Sequence, residues 1–568
     1  MLSLRRLGYV LLIVLGICSI FILYNVNEKN NKIITISNNK VEESELLLSQ
    51  EPLDNQKGIH FYVVGNDEKD IYKDIYKNVC HMMEDLKLSW SLVEKIGEEE
   101  LQNRNAVIVF CDDILNEYVD LQLLASFIEN GGKVVLAAGV AEGDQDAYLQ
   151  PVLGIVEKTI KENYNQFGFA EDFFPLQDDV MIYDGYNAST WMTVQNNAEI
   201  YVQDCEKEVP IVYSYPYGSG ETLIINATFL SDNRCVGVLT AGLGEVLDEF
   251  VYPMVGTECV FLDNFPIVTY VNDSVCMKLY GRTTEAFVRD VVWPVFQGIA
   301  VRNEIRYTSS VLSVSGTEDV FPVISESLFN TLGKSALQYN GEMAYAADCL
   351  NADKLYLNDN FIHSFDETFQ NYEIESLVMV NGQSISESIE ALGRDIKVVR
   401  GKLSADSPQE RMAVLEEYAV FPEATNGISL DDGNMLAIAS ILASHGMVSH
   451  TFDVNRFITI DEVEASWDKD KKQLSEYEER VFNQTDYLEK VSLSETVNAL
   501  KSYLGLEYSW EKEGNTIKIT ADRIVEGQPF WVRTKDRIVK AEGAEYVMVS
   551  EGYYCVRLNE TSALLTLE

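Results

Sequence analysis

The sequence predicts a multidomain α/β protein that begins with a transmembrane helix and ends in an antiparallel β-sandwich. Its 568 residues exceed one domain, because domains commonly hold about 100 to 200 residues, so three or four domains are expected. Strand and helix patterns alternate over most of the chain, which is typical of parallel sheets covered by helices. Towards the carboxyl terminus the pattern changes to a period of two, which is typical of antiparallel strands.

These changes of pattern predict five parts. They are a membrane anchor at 1–24, a polar tether at 25–57, a parallel-sheet domain at 58–255, a second α/β domain at 256–487, and a helix with a small β-sandwich at 488–568. The tether is rich in Asn, Lys, Glu and Ser and lacks sustained periodicity. We therefore expect it to hold the folded domains away from the membrane.

The predicted anchor is the uncharged apolar run from Leu7 to Tyr24, which follows Arg5 and Arg6. Positive charge before an apolar run keeps the short N-terminus in the cytoplasm and places the rest of the chain outside. A cleaved signal peptide is the alternative, but no small-x-small cleavage site follows the run. A lipoprotein that uses Cys18 is disfavoured by the bulky residue before it. We expect a single-pass cell-membrane protein whose bulk is extracytoplasmic.

The net charge excludes one class of partner. The chain carries 44 Lys and Arg against 90 Asp and Glu, which gives 44 − 90 = −46. Such a field repels phosphate backbones, so nucleic-acid binding is not expected. A cationic partner, a divalent cation or simple solubility outside the cell fits this charge. The nine cysteines are scattered without a C-x-x-C pair, so they predict neither a disulfide framework nor a zinc site.

The domain at 58–255 opens with an apolar strand at His60 to Val64, and a later strand pattern runs from Ala106 to Cys111. Its segments LLASFIENGGKVVLAAG and YGSGETLIINATFL resemble, in layout, the amidotransferase-like, flavodoxin-type domains that often precede carbohydrate-active modules. Cys111 lacks the glycine-flanked turn that an amidotransferase nucleophile needs. His60 and His81 fall inside a strand and a helix pattern. We therefore expect a binding or spacer module.

The second domain carries more specific signals. In CVFLDNFPIVTY a hydrophobic strand ends in Asp263 and Asn264, and catalytic side chains collect at the ends of such strands. With the later segments VVRGKLSADSPQERMAVLEEY and VSHTFDV, the order resembles a family of uncharacterised, membrane-anchored bacterial proteins related to polysaccharide deacetylases. That resemblance implies a distorted (β/α) barrel, and a genetic association with Pel-type exopolysaccharide machinery.

The resemblance also implies a metal centre, and the sequence departs from it. In polysaccharide deacetylases an Asp-Asp pair supplies a base and a ligand, and two His complete the site, so that the metal activates water. Here Asp263 matches the base, but Asn264 stands at the ligand position. Aligning the Gly-Glu-x-x-Tyr segment at 341–345 places Ala346 and Leu350 where the family has His. Ala and Leu offer no lone pair, so we expect a degenerate site without metal or other cofactor.

Two histidines remain as candidates in this domain. His450, in VSHTFDV, matches the first His of a family segment that supplies the acid, and Asp453 is a remnant of the same segment. With five His in the whole chain, few imidazoles are left to rebuild a site. His363 is a further alternative, although a lone His beside apolar residues is more often structural.

Aromatic and acidic residues supply other candidates. Trp293 and Tyr345 are candidate stacking surfaces for sugar rings, against the simpler reading of core packing. Acid pairs such as Asp112 with Asp113 resemble glycosidase carboxylates, but a chain with 90 acids produces such pairs by chance.

Together these observations predict a non-catalytic carbohydrate-binding or scaffold protein of exopolysaccharide synthesis or export. Its expected partners are an exopolysaccharide, in particular a cationic amino-sugar polymer, and the synthase or export proteins. Two alternatives remain open: an active deacetylase or carboxylate-only glycoside hydrolase that uses Asp263, and a structural surface protein unrelated to sugars.

Overall fold

The computed structural model describes most of the chain. The described residues are 46–48, 58–65, 70–143, 146–266, 273–315, 326–348, 356–357, 369, 372–381, 385–402, 411–431, 433–457 and 467–568. The chain divides into two units, and almost all of these residues belong to the unit formed by 41–362 and 374–568, which alone is considered below. The predicted anchor lies outside the described residues, among which no helix is long and apolar enough to cross a membrane.

A nine-stranded sheet forms the first domain. Five of its strands are parallel neighbours, in the order Ser89–Val93, His60–Val64, Ala106–Phe110, Lys133–Leu136 and Gly220–Ile225. Four antiparallel strands extend it: Pro210–Tyr217, Glu199–Asp204, Gln166–Phe169 and Val180–Ile182. A separate ribbon pairs Ile155–Asn163 with Ala188–Val194. The helices are Asp70–Asp85, Glu98–Gln102, Leu121–Glu129 and Gly237–Val246.

Local chemistry explains the elements of this domain. The Asp120 side chain accepts hydrogen bonds from the backbone N–H groups of Gln122 and Leu123, which caps the helix Leu121–Glu129. Gly131 then adopts a φ of 106°, a conformation that favours glycine, and turns the chain into the next strand. The predicted alternation of strands and helices is confirmed here.

A second parallel sheet curves into a barrel. Its main strands are, in chain order, Thr257–Asp263, Thr308–Ser315, Glu342–Asp348, Ser376–Asn381, Val398–Lys402, Ala419–Glu423 and Val448–Asp453. From Thr257–Asp263 to Ala419–Glu423, each strand pairs in parallel with the next, and Val448–Asp453 pairs in parallel with Thr257–Asp263. The short strand Thr425–Asn426 follows Ala419–Glu423 directly and pairs with Val448–Asp453, which returns the hydrogen-bonded path to the first strand. A mixed α/β multidomain fold with a barrel-like sheet, as predicted, is thus present.

Helices and short strands complete the barrel region. The helices are Asp273–Tyr280, Thr284–Phe287, Trp293–Asn303, Glu326–Gln338, Ile385–Leu392, Asn434–His445, Trp467–Arg480 and Thr496–Gly505. The short strands are Tyr356–Leu357, Ala413–Val414 and Glu489–Lys490. The inner face of the barrel carries apolar side chains, of which Cys259, Phe261, Ala344 and Phe421 belong to one buried cluster. Outward residues such as Val260 and Phe452 belong to another, so alternate residues face opposite sides.

Two four-stranded antiparallel sheets form the carboxyl-terminal region, as the period of two predicts. One contains Glu249–Pro253, Gln528–Thr534, Tyr553–Leu558 and Ala544–Ser550; the other contains Tyr508–Glu513, Thr516–Ala521, Ser562–Leu567 and Ile538–Glu542. The strand Glu249–Pro253 therefore joins this region although it precedes the boundary predicted at 255. Within the predicted tether, Leu46–Leu48 forms a short strand that pairs with Arg523–Val525.

Candidate functional site

Asp263 ends the first barrel strand and is held by a buried arginine. Arg400 donates from Nη1 to Asp263 Oδ1 and from Nη2 to Oδ2, each at 2.9 Å. The Arg400 side chain is 1% exposed and that of Asp263 is 10% exposed. A bidentate guanidinium–carboxylate pair has strict geometry and strong, charge-assisted hydrogen bonds. Both oxygens of Asp263 are therefore already engaged in this structure.

Further contacts fix the position of Arg400. Its Nη1 also donates to Thr451 Oγ1 at 3.0 Å, and its guanidinium lies over the Phe261 ring, 4.8 Å from the ring centroid. Burial acts to lower the pKa of Arg400, but the nearby carboxylates of Asp263 and Glu423 outweigh it, so the pKa is raised. The guanidinium therefore stays charged and serves as the permanent counter-ion of Asp263.

Among the described residues, the side chain of the neighbouring Asp453 accepts hydrogen bonds from neutral donors. Asp263 and Asp453 are register partners on adjacent parallel strands. Asn264, whose φ is 56°, donates from Nδ2 to Asp453 Oδ1 at 2.8 Å, and the backbone N–H of Asn455 donates to the same oxygen at 2.9 Å. Burial chiefly, and also the charge of Asp263, raise the pKa of Asp453. The mouth of the barrel thus holds two unlike carboxyl groups side by side.

The donor set does not fit the catalytic metal that the family resemblance implies. Ala346 is buried and has only a methyl group. Asn264 directs its amide N–H to Asp453, and the oxygens of Asp263 face Arg400. Leu350, the third expected position, lies outside the described residues. Within the described parts of the chain, no group of three His, Cys, Asp or Glu is placed to hold an ion.

His450 lies on the other side of the sheet from Asp263. Its Nε2 donates to the Gly427 carbonyl oxygen at 2.6 Å, which leaves Nδ1 to accept from the Thr425 hydroxyl at 2.6 Å. Its ring packs 4.3 Å from that of Tyr477, measured between centroids, under the helix Trp467–Arg480. Burial lowers its pKa to about 3. The reason is strand alternation, which turns Thr451 inwards and His450 outwards, so His450 is a core residue here rather than an acid at the mouth.

The two aromatic candidates are also core residues in this structure. Trp293 is 4% exposed, stacks on Phe265 with ring centroids 4.6 Å apart, and donates from Nε1 to Ser335 Oγ at 3.0 Å. Tyr345 is 5% exposed and alternates with Ala344, which faces the barrel interior. Neither ring presents a face to solvent, so neither is the sugar-stacking surface expected from the sequence. Helix packing buries Trp293, and strand alternation buries Tyr345. His363 lies outside the described residues.

Sequence reasoning missed Arg400, Thr451 and Glu423. Glu423 ends its strand and accepts from Asn426 Nδ2 at 3.2 Å. One signal for Arg400 was available, namely a charged residue inside the apolar strand segment VVRGK, which requires a buried partner. Its partner could not be identified from spacing, because 137 positions separate it from Asp263.

One solved structure that resembles this chain over most of its length supports the fold. The crystal structure of Agd3, described as a novel carbohydrate deacetylase, matches at a TM-score of 0.53 and 10% identity, covering 90% of this chain and 98% of that one. A putative ThuA-like protein from Bacteroides uniformis matches 34% of this chain and 96% of its own, at 10% identity and a TM-score of 0.25. A β-galactosidase from Bacillus circulans matches 34% and 33%, at 12% identity and a TM-score of 0.23.

Comparison with protein families is more decisive. No curated protein matches the sequence. A family model described as an uncharacterised protein conserved in bacteria, DUF2194, matches residues 23–343. This match covers more than half of the chain and includes Asp263 and Asn264. The protein therefore belongs to the DUF2194 family of uncharacterised bacterial proteins.

Proposed function

We propose that the protein is a membrane-tethered, extracytoplasmic protein that binds a carbohydrate polymer at the mouth of its barrel without hydrolysing it, in exopolysaccharide synthesis or export. The carrying observation is that Asp263 accepts hydrogen bonds from Arg400 with both oxygens, while Asn264 and Ala346 stand where the resemblance implies metal ligands. The fold shared with a carbohydrate deacetylase supports a carbohydrate-related role.

Charge favours a cationic amino-sugar polymer as the ligand. The chain carries a net charge of −46, and at the mouth Asp453 accepts hydrogen bonds from the neutral Asn264 side chain and the Asn455 backbone, with Arg456 as a nearby positive charge. Long-range attraction weakens with salt, because the Debye length falls from about 10 Å at 0.1 M to about 3 Å at 1 M. We therefore expect the affinity for the polymer to fall as salt is raised, and part of that affinity to depend on the acids at the mouth of the barrel.

Cosedimentation of the full chain in detergent with chitosan and with its N-acetylated form tests the proposal. We expect tighter binding to chitosan, weakening from 0.1 to 1 M salt, and no acetate release. Asp453→Asn should weaken binding more than the matched Asp431→Asn, since the Asp431 side chain is 77% exposed. Binding that ignores both salt and acetylation would contradict the proposal, and Asp263-dependent acetate release would refute its non-catalytic part.

Metal content is a separate check. Since Asn264 and Ala346 replace expected ligands, elemental analysis of the purified chain should find no stoichiometric zinc, cobalt or nickel. One metal per chain that disappears in Asp263→Ala would overturn the degenerate-site hypothesis.

Membrane attachment is tested on intact protoplasts. Added protease should digest the chain beyond the tether and leave the anchor in the membrane fraction. A mature N-terminus between Asn25 and Gly58, found by sequencing, would show instead that the anchor is cleaved.

One observation favours the hydrolase alternative. Asp453, whose pKa is raised chiefly by burial, lies beside the guanidinium-bound Asp263. Two carboxyl groups with unlike environments form the acid–base pair of many hydrolases. Release of acetate or of reducing ends that is lost in Asp453→Asn would select this alternative.

A further inference from the structure

A cavity of about 300 Å³ lies between the first sheet and the carboxyl-terminal sandwich. Its lining includes three almost fully buried apolar side chains, Phe61, Phe250 and Leu506, each 1% exposed. The partly buried rings of Tyr508 and Trp510 also line it. Ligand sites are commonly concave and mostly apolar, with a few placed polar groups.

The polar group that distinguishes this cavity is the ammonium of Lys87. Lys87 adopts a φ of 57°, and its Nζ donates to the Leu504 carbonyl oxygen at 2.7 Å. An ammonium has three N–H donors, and this is the one hydrogen bond of Nζ within the described parts of the chain. Burial lowers the pKa of Lys87, against the opposing effect of Asp85 and Glu507.

Nearby acids do not satisfy this ammonium through hydrogen bonds. Asp85 accepts from Arg411 at 2.5 Å and lies 3.2 Å from His445 Nε2. Glu507 is exposed to water at the rim. The Tyr508 hydroxyl, another polar group of the lining, donates to the Val251 carbonyl at 2.9 Å. The Lys87 ammonium can therefore donate further hydrogen bonds beside the apolar cavity.

From this geometry we propose that the cavity binds a small apolar carboxylate, whose hydrocarbon part contacts Phe61 and Phe250 and whose carboxylate accepts hydrogen bonds from Lys87. Charge complementarity selects the anion, and the apolar lining selects its hydrocarbon part. The cavity shares no residue with the mouth of the barrel, so this inference is independent of the proposed function.

Calorimetric titration of the full chain with 4-phenylbutyrate and with neutral 4-phenylbutanol tests the inference. Hydrogen bonds to charged groups contribute about 1.5–3 kcal/mol, so we expect the carboxylate to bind at one site about tenfold or more tighter than the alcohol. Lys87→Gln should abolish this preference, and the exposed Lys95→Gln should keep it. Equal affinity for both probes, no binding of either, or a preference that survives Lys87→Gln would overturn the inference.

A measurement on the wild-type chain covers the case in which Lys87→Gln fails to fold. Acetic anhydride acetylates free amines, and peptide mass spectrometry reads each lysine separately. Saturating 4-phenylbutyrate should slow acetylation of Lys87 at least threefold and leave that of Lys95 unchanged. Unchanged labelling of Lys87 would contradict the inference.

Discussion

In both the first domain and the barrel, aspartates lie at the carboxyl ends of parallel strands. The partners of their side chains differ between the two regions. In the first domain Asp112 accepts from the Ile114 backbone N–H at 3.0 Å and from the Tyr118 hydroxyl at 2.7 Å, both within six residues. Asp113 pairs with Lys161 Nζ at 2.7 Å. In the barrel Asp263 depends on a bidentate arginine 137 positions away.

The degree of burial separates the two cationic partners. The Lys161 side chain is 17% exposed, whereas that of Arg400 is 1% exposed. The Asp113 and Asp263 side chains are both 10% exposed, so the two pairs differ in their cations: water can replace the partly exposed ammonium more readily than the buried guanidinium. A strand-end acid such as Asp112, whose hydrogen bonds come from the adjacent turn, should therefore affect stability less than Asp263, whose counter-ion is supplied only when the barrel closes.

Removing the barrel cation should have the largest effect. Arg400→Met leaves Asp263 without its counter-ion, and breaking a buried pair costs about 3–5 kcal/mol of unfolding free energy. Urea denaturation measures this change. The double variant Arg400→Met with Asp263→Asn should recover part of the loss, because it removes the unpaired charge. A loss below about 1 kcal/mol in Arg400→Met would contradict the buried-pair interpretation.

The second-largest effect is expected from His450, which should control part of the pH dependence of the unfolding free energy. Its pKa is lowered by burial from 6.5 to about 3, so below pH 6.5 the unfolded chain binds a proton that the folded chain refuses. Stability should therefore fall as pH decreases from about 6.5 towards 3, by about 1.4 kcal/mol per pH unit from this group.

Denaturation at several pH values compares wild type with His450→Gln, in which this part of the slope should vanish. The matched variant His60→Gln in the first domain should change the slope less. Burial also lowers the pKa of His60, but His60 is only half-buried. Equal slopes for wild type and His450→Gln would show that the pKa of His450 is the same in the folded and the unfolded chain.

The smallest effect is expected at the first-domain pair. Lys161→Met removes an ion pair whose lysine side chain is 17% exposed, so water can partly replace the lost cation and we expect a smaller loss of unfolding free energy than in Arg400→Met. The same urea measurement applies, with raised salt as the control, since salt screens this pair more than the buried one. A cost equal to that of Arg400→Met would remove the contrast between the two regions.

Local patterns predicted much of the fold. The strand at His60 to Val64 and the helix that starts at Asp120 were predictable because apolar spacing and an Asp cap act within a few residues. The strand Thr257–Asp263 was predictable because the apolar run CVFL within it is typical of a buried strand. The place of Glu249–Pro253 in the carboxyl-terminal sheet was not, since its partner strand Gln528–Thr534 is far along the chain.

The candidate site was predicted less completely. Asp263 and Asp453 meet at the mouth, as neighbouring strand ends in one sheet should. The sequence did not reveal that His450 faces outwards, because one residue of register moves a side chain to the opposite face of a sheet. Nor did it reveal the burial of Trp293, which depends on Phe265 and on a separate helix that carries Ser335.

By itself the sequence determined the α/β organisation, because short-range periodicity depends only on neighbouring residues. It also determined the acidic charge and showed that alanine, not histidine, stands at position 346, because both are read directly from the residues. Only the tertiary structure decided that Arg400 neutralises Asp263, that Asp453 lies beside them, and that Lys87 borders an apolar cavity. These three facts depend on burial and on contacts between segments that are far apart in the sequence. Such burial and contacts arise only when the barrel closes and the domains pack.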